Sequence, residues 1–148
     1  MTIREKSDED FMRLALKEAS YALEADEIPV GAVVVYNGKV VGKGHNQVEL
    51  LKDVSAHAEM IALTAASQKM NSKYLQDCTL YVTLEPCSMC AGALFWYQIG
   101  RVVFGASDER RGFSRLIPTP LHPKTTVISG VLEAECSKML KLFFQSLR

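Results

Sequence analysis

Two short stretches carry the chemistry: His57-Ala58-Glu59 and Pro86-Cys87-Ser88-Met89-Cys90. They supply three soft metal ligands and one carboxylate that ligation does not require. Cys87 and Cys90 are three apart, so they share a face of any helix that contains both. That helix begins just after Pro86, where unpaired N–H groups and the positive dipole end favour thiolate over thiol. His57 and Glu59 are two apart and point in different directions on a first helical turn. With His57 on a metal, Glu59 leans toward the fourth coordination position without filling it. Three protein ligands and one open position describe a catalytic zinc site rather than a structural one. Cys-x-x-Cys alone also suits a structural half-site or a redox pair. A redox pair follows the first strand and has no partner His-x-Glu, and a structural site needs a fourth ligand. Cys78 lies in a strand pattern and Cys136 on a core stripe, which marks both as buried thiols, while His45 and His122 read as turn and loop residues.

The elements that position these residues follow from periodicity. Ser7 or Asp8 caps a helix running to about Ala25, with Met12, Ala15, Leu16, Ala19 and Leu23 along one face. Pro29 and Gly31 separate it from Ala32–Tyr36, a β-branched run. Asn37-Gly38 then turns the chain into a second strand, Lys39–Gly44. Gly42 and Gly44 weaken that strand's end or admit a close neighbour. Asn46 follows, a turn former whose amide can also present a donor and an acceptor to a base edge. Gln47–Val54 reads as loop, and a helix from Ala56 to Met70 is capped by Ser55 or Asp53, with Met60, Leu63, Thr64 and Ser67 on faces that pack or cap. Cys78–Thr83 is a buried strand, and a third helix runs from Cys87 through Trp96. Arg101–Gly105 and Thr125–Ile128 are strands on either side of an irregular stretch, Ser107–Lys124. The last helix, Leu132 to about Leu147, carries Leu132, Cys136, Met139, Leu140, Phe143 and Leu147 as a core stripe. This order predicts one mixed sheet between helical layers, with both ligand-bearing helices entering from the same sheet edge.

A chain of 148 residues with 48% apolar and 23% charged residues reads as one globular domain, residues 1–148, with no internal repeat or linker. Seventeen basic and seventeen acidic residues cancel, so any nucleic-acid contact rests on a local basic patch rather than a global field. The first residues, Met1–Lys6, are charged and lack the apolar core of a signal peptide. No apolar run is long enough for a bilayer. Four cysteines without a secretion signal suit a reducing compartment, so the expected location is cytoplasmic.

The pairing of H-x-E with P-C-x-x-C is the signature of zinc-dependent base deaminases. Beyond it, Ile28–Val35, Asn37-Gly38, Gly44-His45-Asn46, Ser55–Met60, Cys78–Ala93 and the segments from Gly130 to Glu133 and on to Phe143-Phe144 resemble the bacterial tRNA adenosine deaminases. The resemblance covers nearly the whole chain. It implies a cytidine-deaminase-like three-layer α/β/α sandwich with a mixed five-stranded sheet. It also implies one Zn2+ per subunit, a homodimer, and conversion of adenosine to inosine at the wobble position of a tRNA anticodon stem-loop. By the same resemblance Asn46 contacts the purine, Ala58 offers it a backbone N–H, Glu85 and Pro86 shape the pocket, Val30 packs on the base, and Asp108 touches a neighbouring nucleotide. The chain departs from the family between 112 and 123, where a shorter, proline-rich loop stands. Arg110, Arg111, Arg115 and Lys124 can supply phosphate contacts there.

The expected reaction is hydrolytic. A water whose pKa zinc has lowered to near 7 gives its proton to Glu59, which passes it to a ring nitrogen. Hydroxide attacks the amine-bearing carbon, and Glu59 protonates the departing ammonia. Deamination of a free base or nucleoside (guanine, adenine or cytosine) uses the same site, and a zinc-stabilised binding module without catalysis is the non-enzymatic alternative.

Overall fold

The computed structural model describes residues 5–147, so the reading of Met1–Arg4 lies outside the described residues. Helix α1, Asp8–Glu24, opens on a capping box: Ser7 Oγ accepts from Asp10 N–H while the Asp10 carboxylate accepts from Ser7 N–H. Strands β1 (Gly31–Tyr36) and β2 (Lys39–His45) form an antiparallel hairpin. Its turn places Asn37 at φ 54° and Gly38 at φ 77°, the left-handed pair that a two-residue hairpin loop demands. After a short α2 (Val48–Leu51) come α3 (Ala58–Met70), β3 (Cys78–Leu84), α4 (Ser88–Tyr97), β4 (Arg101–Ala106), a 3-10 turn at Phe113–Arg115, β5 (Thr126–Ile128) and α5 (Glu133–Ser146).

The sheet order is β2-β1-β3-β4-β5, with β1 antiparallel to both neighbours and β3, β4 and β5 mutually parallel. The period-2 alternation of strands sorts the core into two layers. Ala32, Val34, Leu80, Val82, Val102 and Phe104 pack with Ala58, Ala62, Leu63 and Ala66 of α3 and Ala91 and Leu94 of α4. Val33, Val35, Tyr81 and Val103 pack with Phe11, Met12 and Ala15 of α1 and Cys136 of α5. This is the expected three-layer α/β/α sandwich around a mixed five-stranded sheet. Because β2 and β3 point the same way, α3 and α4 both start beyond the same end of the sheet, where their first turns meet.

Several boundaries differ from the expectation. Residues 47–54 are not all loop, since α2 lies within them. Helix α3 starts at Ala58 rather than Ala56, with His57 as its N-cap in extended conformation. Neither Ser55 nor Asp53 caps it: the N-cap residue makes no side-chain cap bond, and Asp53 Oδ1 instead accepts from Ser55 N and Oγ. Thr64 faces solvent, whereas Glu59 and the alanines at 62 and 66 take the packed face. On α5 Cys136 and Phe143 are buried but Leu147 is 67% exposed, so the stripe leaves the core before the helix ends. The four cysteines are free thiols.

Candidate metal centre and active-site cleft

His57 and Cys87 occupy the same place on their helices. Each is an N-cap with extended backbone (ψ 152° and 177°), and neither spends its side chain on capping. Both side chains are therefore free to meet where the two helix starts converge. His57 Nδ1 lies 3.7 Å from Cys87 Sγ and 3.6 Å from Cys90 Sγ. All three donor atoms fall within 4.8 Å of one another. A tetrahedral zinc with Zn–S of about 2.3 Å and Zn–N of about 2.0–2.1 Å requires N···S edges of about 3.6 Å. The three side chains thus fit zinc in spacing and donor type. Among the described residues the group comprises these three donors and no fourth His, Cys, Asp or Glu. Cys90 is buried, whereas His57 and Cys87 are half-buried and line a cleft.

The three donors share hydrogen bonds, and these set their protonation states. Hydrogen bonding from Cys90, and then from His57, pulls the Cys87 thiol down to about 4. Cys90 is pushed upward, first by its bond to Cys87 and then by burial. His57 is raised, mainly by its bond to Cys87. A divalent cation reverses this, since it holds both sulfurs as thiolates and the imidazole as neutral.

Glu59, in the first turn of α3, is only 4% exposed and does not join the donor group. Burial is the largest influence on its carboxyl and pushes it up to about 7. A carboxylate tuned near neutrality can both take and return a proton.

The cleft, about 1140 Å³, is walled by Val30, Asn46, His57, Glu59, Leu84, Glu85 and Cys87, with Asp108, Arg110 and Arg111 along one rim. Val30, Asn46, Glu85 and Asp108 therefore face the cleft as expected, but Ala58 and Pro86 are buried outside that wall. Internal hydrogen bonds engage several of these residues. The Ala58 N–H donates to Asn46 Oδ1 at 2.8 Å, so it is held within the chain. The Asn46 oxygen is occupied by that bond, and its NH2 is the group left to present outward. The Glu85 carboxylate is turned into the 107–114 loop, and the Asp108 carboxylate accepts from Arg110 N and Arg111 N.

Three cleft residues were not read from the sequence as lining a site. Glu27, 3% exposed, sits beside Pro29 with no motif around it. Phe143 and Phe144 both line the cleft, one buried and one 51% exposed. Consecutive aromatic residues on a helix diverge by about 100°, so the doublet itself signals that one ring must leave the core stripe.

Residues 5–106 match the family model of the cytidine and deoxycytidylate deaminase zinc-binding region. The chain is 45% identical over 145 residues to the tRNA-specific adenosine deaminase of Aquifex aeolicus, covering 95% of each protein. It is 44% identical over 163 residues to the chloroplastic tRNA(adenine(34)) deaminase of Arabidopsis thaliana, spanning 96% of this chain but 12% of that longer protein. A solved structure from a study of A-to-I editing by tRNA:A34 deaminases at the wobble position of transfer RNA matches with a TM-score of 0.82 and 40% identity, covering 87% of this chain and 97% of that one.

Proposed function

The chain belongs to the cytidine and deoxycytidylate deaminase family and, within it, to the tRNA-specific adenosine deaminases, and from that premise we propose that it hydrolyses the 6-amino group of the wobble adenosine of a tRNA, giving inosine and ammonia. The observation that carries this reading is the convergence of His57, Cys87 and Cys90 at tetrahedral edge lengths beside a buried, non-ligating Glu59.

His57, Cys87 and Cys90 hold one zinc per subunit. Zinc, when bound, brings the pKa of a coordinated water from about 15.7 toward 7, which makes a nucleophile available at neutral pH. Glu59 accepts the water's first proton on its carboxylate and delivers it to ring nitrogen N1, then takes the second from the new hydroxyl on C6 and gives it to the departing amine. The water's oxygen ends on C6 and the amine leaves as ammonia. Val30 packs on the flipped base, and Asn46 donates its NH2 to a ring acceptor. Pro86 and Ala58 back the pocket, the latter by fixing Asn46. Asp108, with Arg110 and Arg111 on the rim, faces the flanking nucleotides.

The cleft, about 1140 Å³, leaves room for more than a single base. Two rim arginines add phosphate-directed charge. The deciding experiment compares inosine formation in an anticodon stem-loop with ammonia release from free guanine, adenine and cytosine. Inosine in the stem-loop supports the reading, and ammonia from a free base with the RNA untouched overturns it.

The working state is a cytoplasmic homodimer. Trp96 stands 76% exposed and Met89 38% exposed on α4, apolar surface that a second copy would cover. Four free thiols and a tRNA substrate suit the cytoplasm, and among the described residues no helix is long and apolar enough to cross a membrane. Light scattering at micromolar concentration tests the dimer, and a monomeric mass rejects it.

A further inference from the structure

Two buried carboxylates that line the cleft and bond to different segments are unused by the chemistry above. Glu27 and Glu85 are each 3% exposed. Neither touches the ligand group, and both point at backbone N–H groups of a rim segment. Glu27 Oε1 accepts from Glu49 N at 3.1 Å and Oε2 from Leu50 N at 2.9 Å. Those are early N–H groups of α2, whose own N-cap, Gln47, makes no side-chain bond. Glu27 thus provides, from 22 residues away, the cap that this four-residue helix lacks.

Glu85 does the same for the other rim. Oε1 accepts from Asp108 N at 3.0 Å, and Oε2 accepts from Ser114 N at 2.9 Å and from Ser114 Oγ. Gly112 passes so close that a Cβ there would lie 2.3 Å from the Glu85 carboxylate. The clamped loop is stitched to the ligand-bearing segment as well: Phe113 N donates to Pro86 O, and Gly112 bridges Cys87. Asp108, Arg110 and Arg111 all ride on this loop.

We propose that Glu27 and Glu85 are positioning residues: each holds one rim of the cleft through paired bonds to backbone N–H, and together they set how tightly the cleft grips a polynucleotide without touching the reacting base. The proposal rests on the deaminase reading for its substrate but not for its geometry. Ordinary loops reach such order only where their backbone groups find partners. A carboxylate that accepts from several N–H groups supplies stronger bonds than a neutral acceptor. Replacing either Glu by Gln keeps the size, removes the charge and turns an NH2 toward an N–H.

The test uses the zinc-loaded protein and an anticodon stem-loop. Glu27→Gln and Glu85→Gln are each expected to raise KM about tenfold, the worth of one charge-assisted bond, while kcat changes less than about threefold. Zinc per chain stays unchanged. The double variant raises KM about a hundredfold, because the two carboxylates serve separate segments. Amide hydrogen exchange gives a readout that a general loss of stability would not reproduce. Glu85→Gln should speed exchange at Asp108 and Ser114 alone, and Glu27→Gln at Glu49 and Leu50 alone. If Glu85→Gln fails to fold, Ser114→Ala removes one donor from the same clamp and is expected to raise KM about threefold. Unchanged KM with unchanged exchange overturns the proposal, as does a fall in kcat or zinc content at constant KM. Should the wild-type protein leave the stem-loop unedited, the substrate reading fails, whereas the exchange pattern still decides whether the clamps exist.

Discussion

The backbone N–H of Ala58 donates to Asn46 Oδ1 across 2.8 Å, tying the end of β2 to the first turn of α3. An N–H can face only the oxygen of an amide, so this bond fixes which way Asn46 is turned. Its NH2 is therefore the end left for a substrate. Asn46→Asp keeps the acceptor for Ala58 but places a second acceptor where a donor stood. With a ring nitrogen opposite, two acceptors repel. The variant is expected to retain its zinc and lose about 100-fold in kcat/KM, about 2.7 kcal/mol. Steady-state kinetics beside metal analysis checks it, and a wild-type kcat/KM would show that the amide does not read the base.

Glu59 should separate chemistry from metal binding. Glu59→Ala is expected to keep one zinc per chain and lose about 10²–10⁴ in kcat, whereas Cys87→Ala loses the metal itself. The pH profile follows from the direction of the shift. Burial raises this carboxyl from 4.5 to about 7, and a neighbouring dication draws it back down. Only the ionised form can accept the water's proton. Activity therefore falls on the acid side, along a limb whose midpoint lies between about 4.5 and about 7. A kcat/KM that is flat from pH 4 to 8 contradicts that assignment.

The metal chemistry and the layer order were legible in the sequence for the same reason: both are short-range patterns. His57, Cys87 and Cys90 announce themselves by type and spacing, and the continuous β-branched run at 32–35 marks a strand covered on both faces, as the two core layers show. What escaped notice depends on partners far along the chain. Helix α2 is too short to register by periodicity and is completed by Glu27. Nothing local marks Glu85 as the anchor of a loop that begins 22 residues later. The start of α3 falls at Ala58 because His57 is its N-cap, in extended conformation and with no side-chain cap bond, which a capping rule based on Ser55 and Asp53 cannot foresee. Leu147 fits the stripe of α5 by spacing, yet it falls one residue past the helix, at its C-cap, and is exposed.

A second tie fastens the far layer of the sandwich. Asp8, at the start of α1, accepts from Arg101 Nη1 at 2.8 Å, from Arg101 Nη2 at 2.6 Å and from the Tyr81 hydroxyl at 2.7 Å. The Arg101 guanidinium holds the Asp8 carboxyl below its ordinary value, and burial with Asp8 alongside pushes Tyr81 up to about 12. Because the folded value is depressed, the stabilisation is complete above the unfolded value of about 3.9 and disappears as pH falls through the folded value. The pair is about one-third exposed, so it contributes about 1 kcal/mol, or about 2–4 °C in Tm. Asp8→Asn should show that deficit at pH 7, and the gap to wild type should narrow progressively in melts taken below the unfolded value of about 3.9. A gap that widens on acidification would contradict the pairing.

Gly42 shows how closely the ligand-bearing helix must approach the sheet. A Cβ built there would lie 2.3 Å from Ala62 O and 2.7 Å from Ala66 N, both backbone atoms of α3. Neither can swing aside as a side-chain end can, so Gly42→Ala must lift the whole helix. Overpacking of this kind costs about 1–3 kcal/mol. Because His57 and Glu59 begin the same helix, the lift also displaces a zinc donor, and metal affinity should fall together with Tm. Gly92 is the contrast. It lies within α4 and nothing stands within 4 Å of the position its Cβ would take. Gly92→Ala should therefore gain about 0.4–1 kcal/mol from a stiffer unfolded chain and leave zinc untouched. Thermal melts with and without a chelator, alongside zinc titration, compare the two alanines directly. Opposite signs in Tm, with metal lost only from Gly42→Ala, are the expected result; a Gly42→Ala protein that melts and binds zinc like wild type would mean that α3 does not need this approach to place His57.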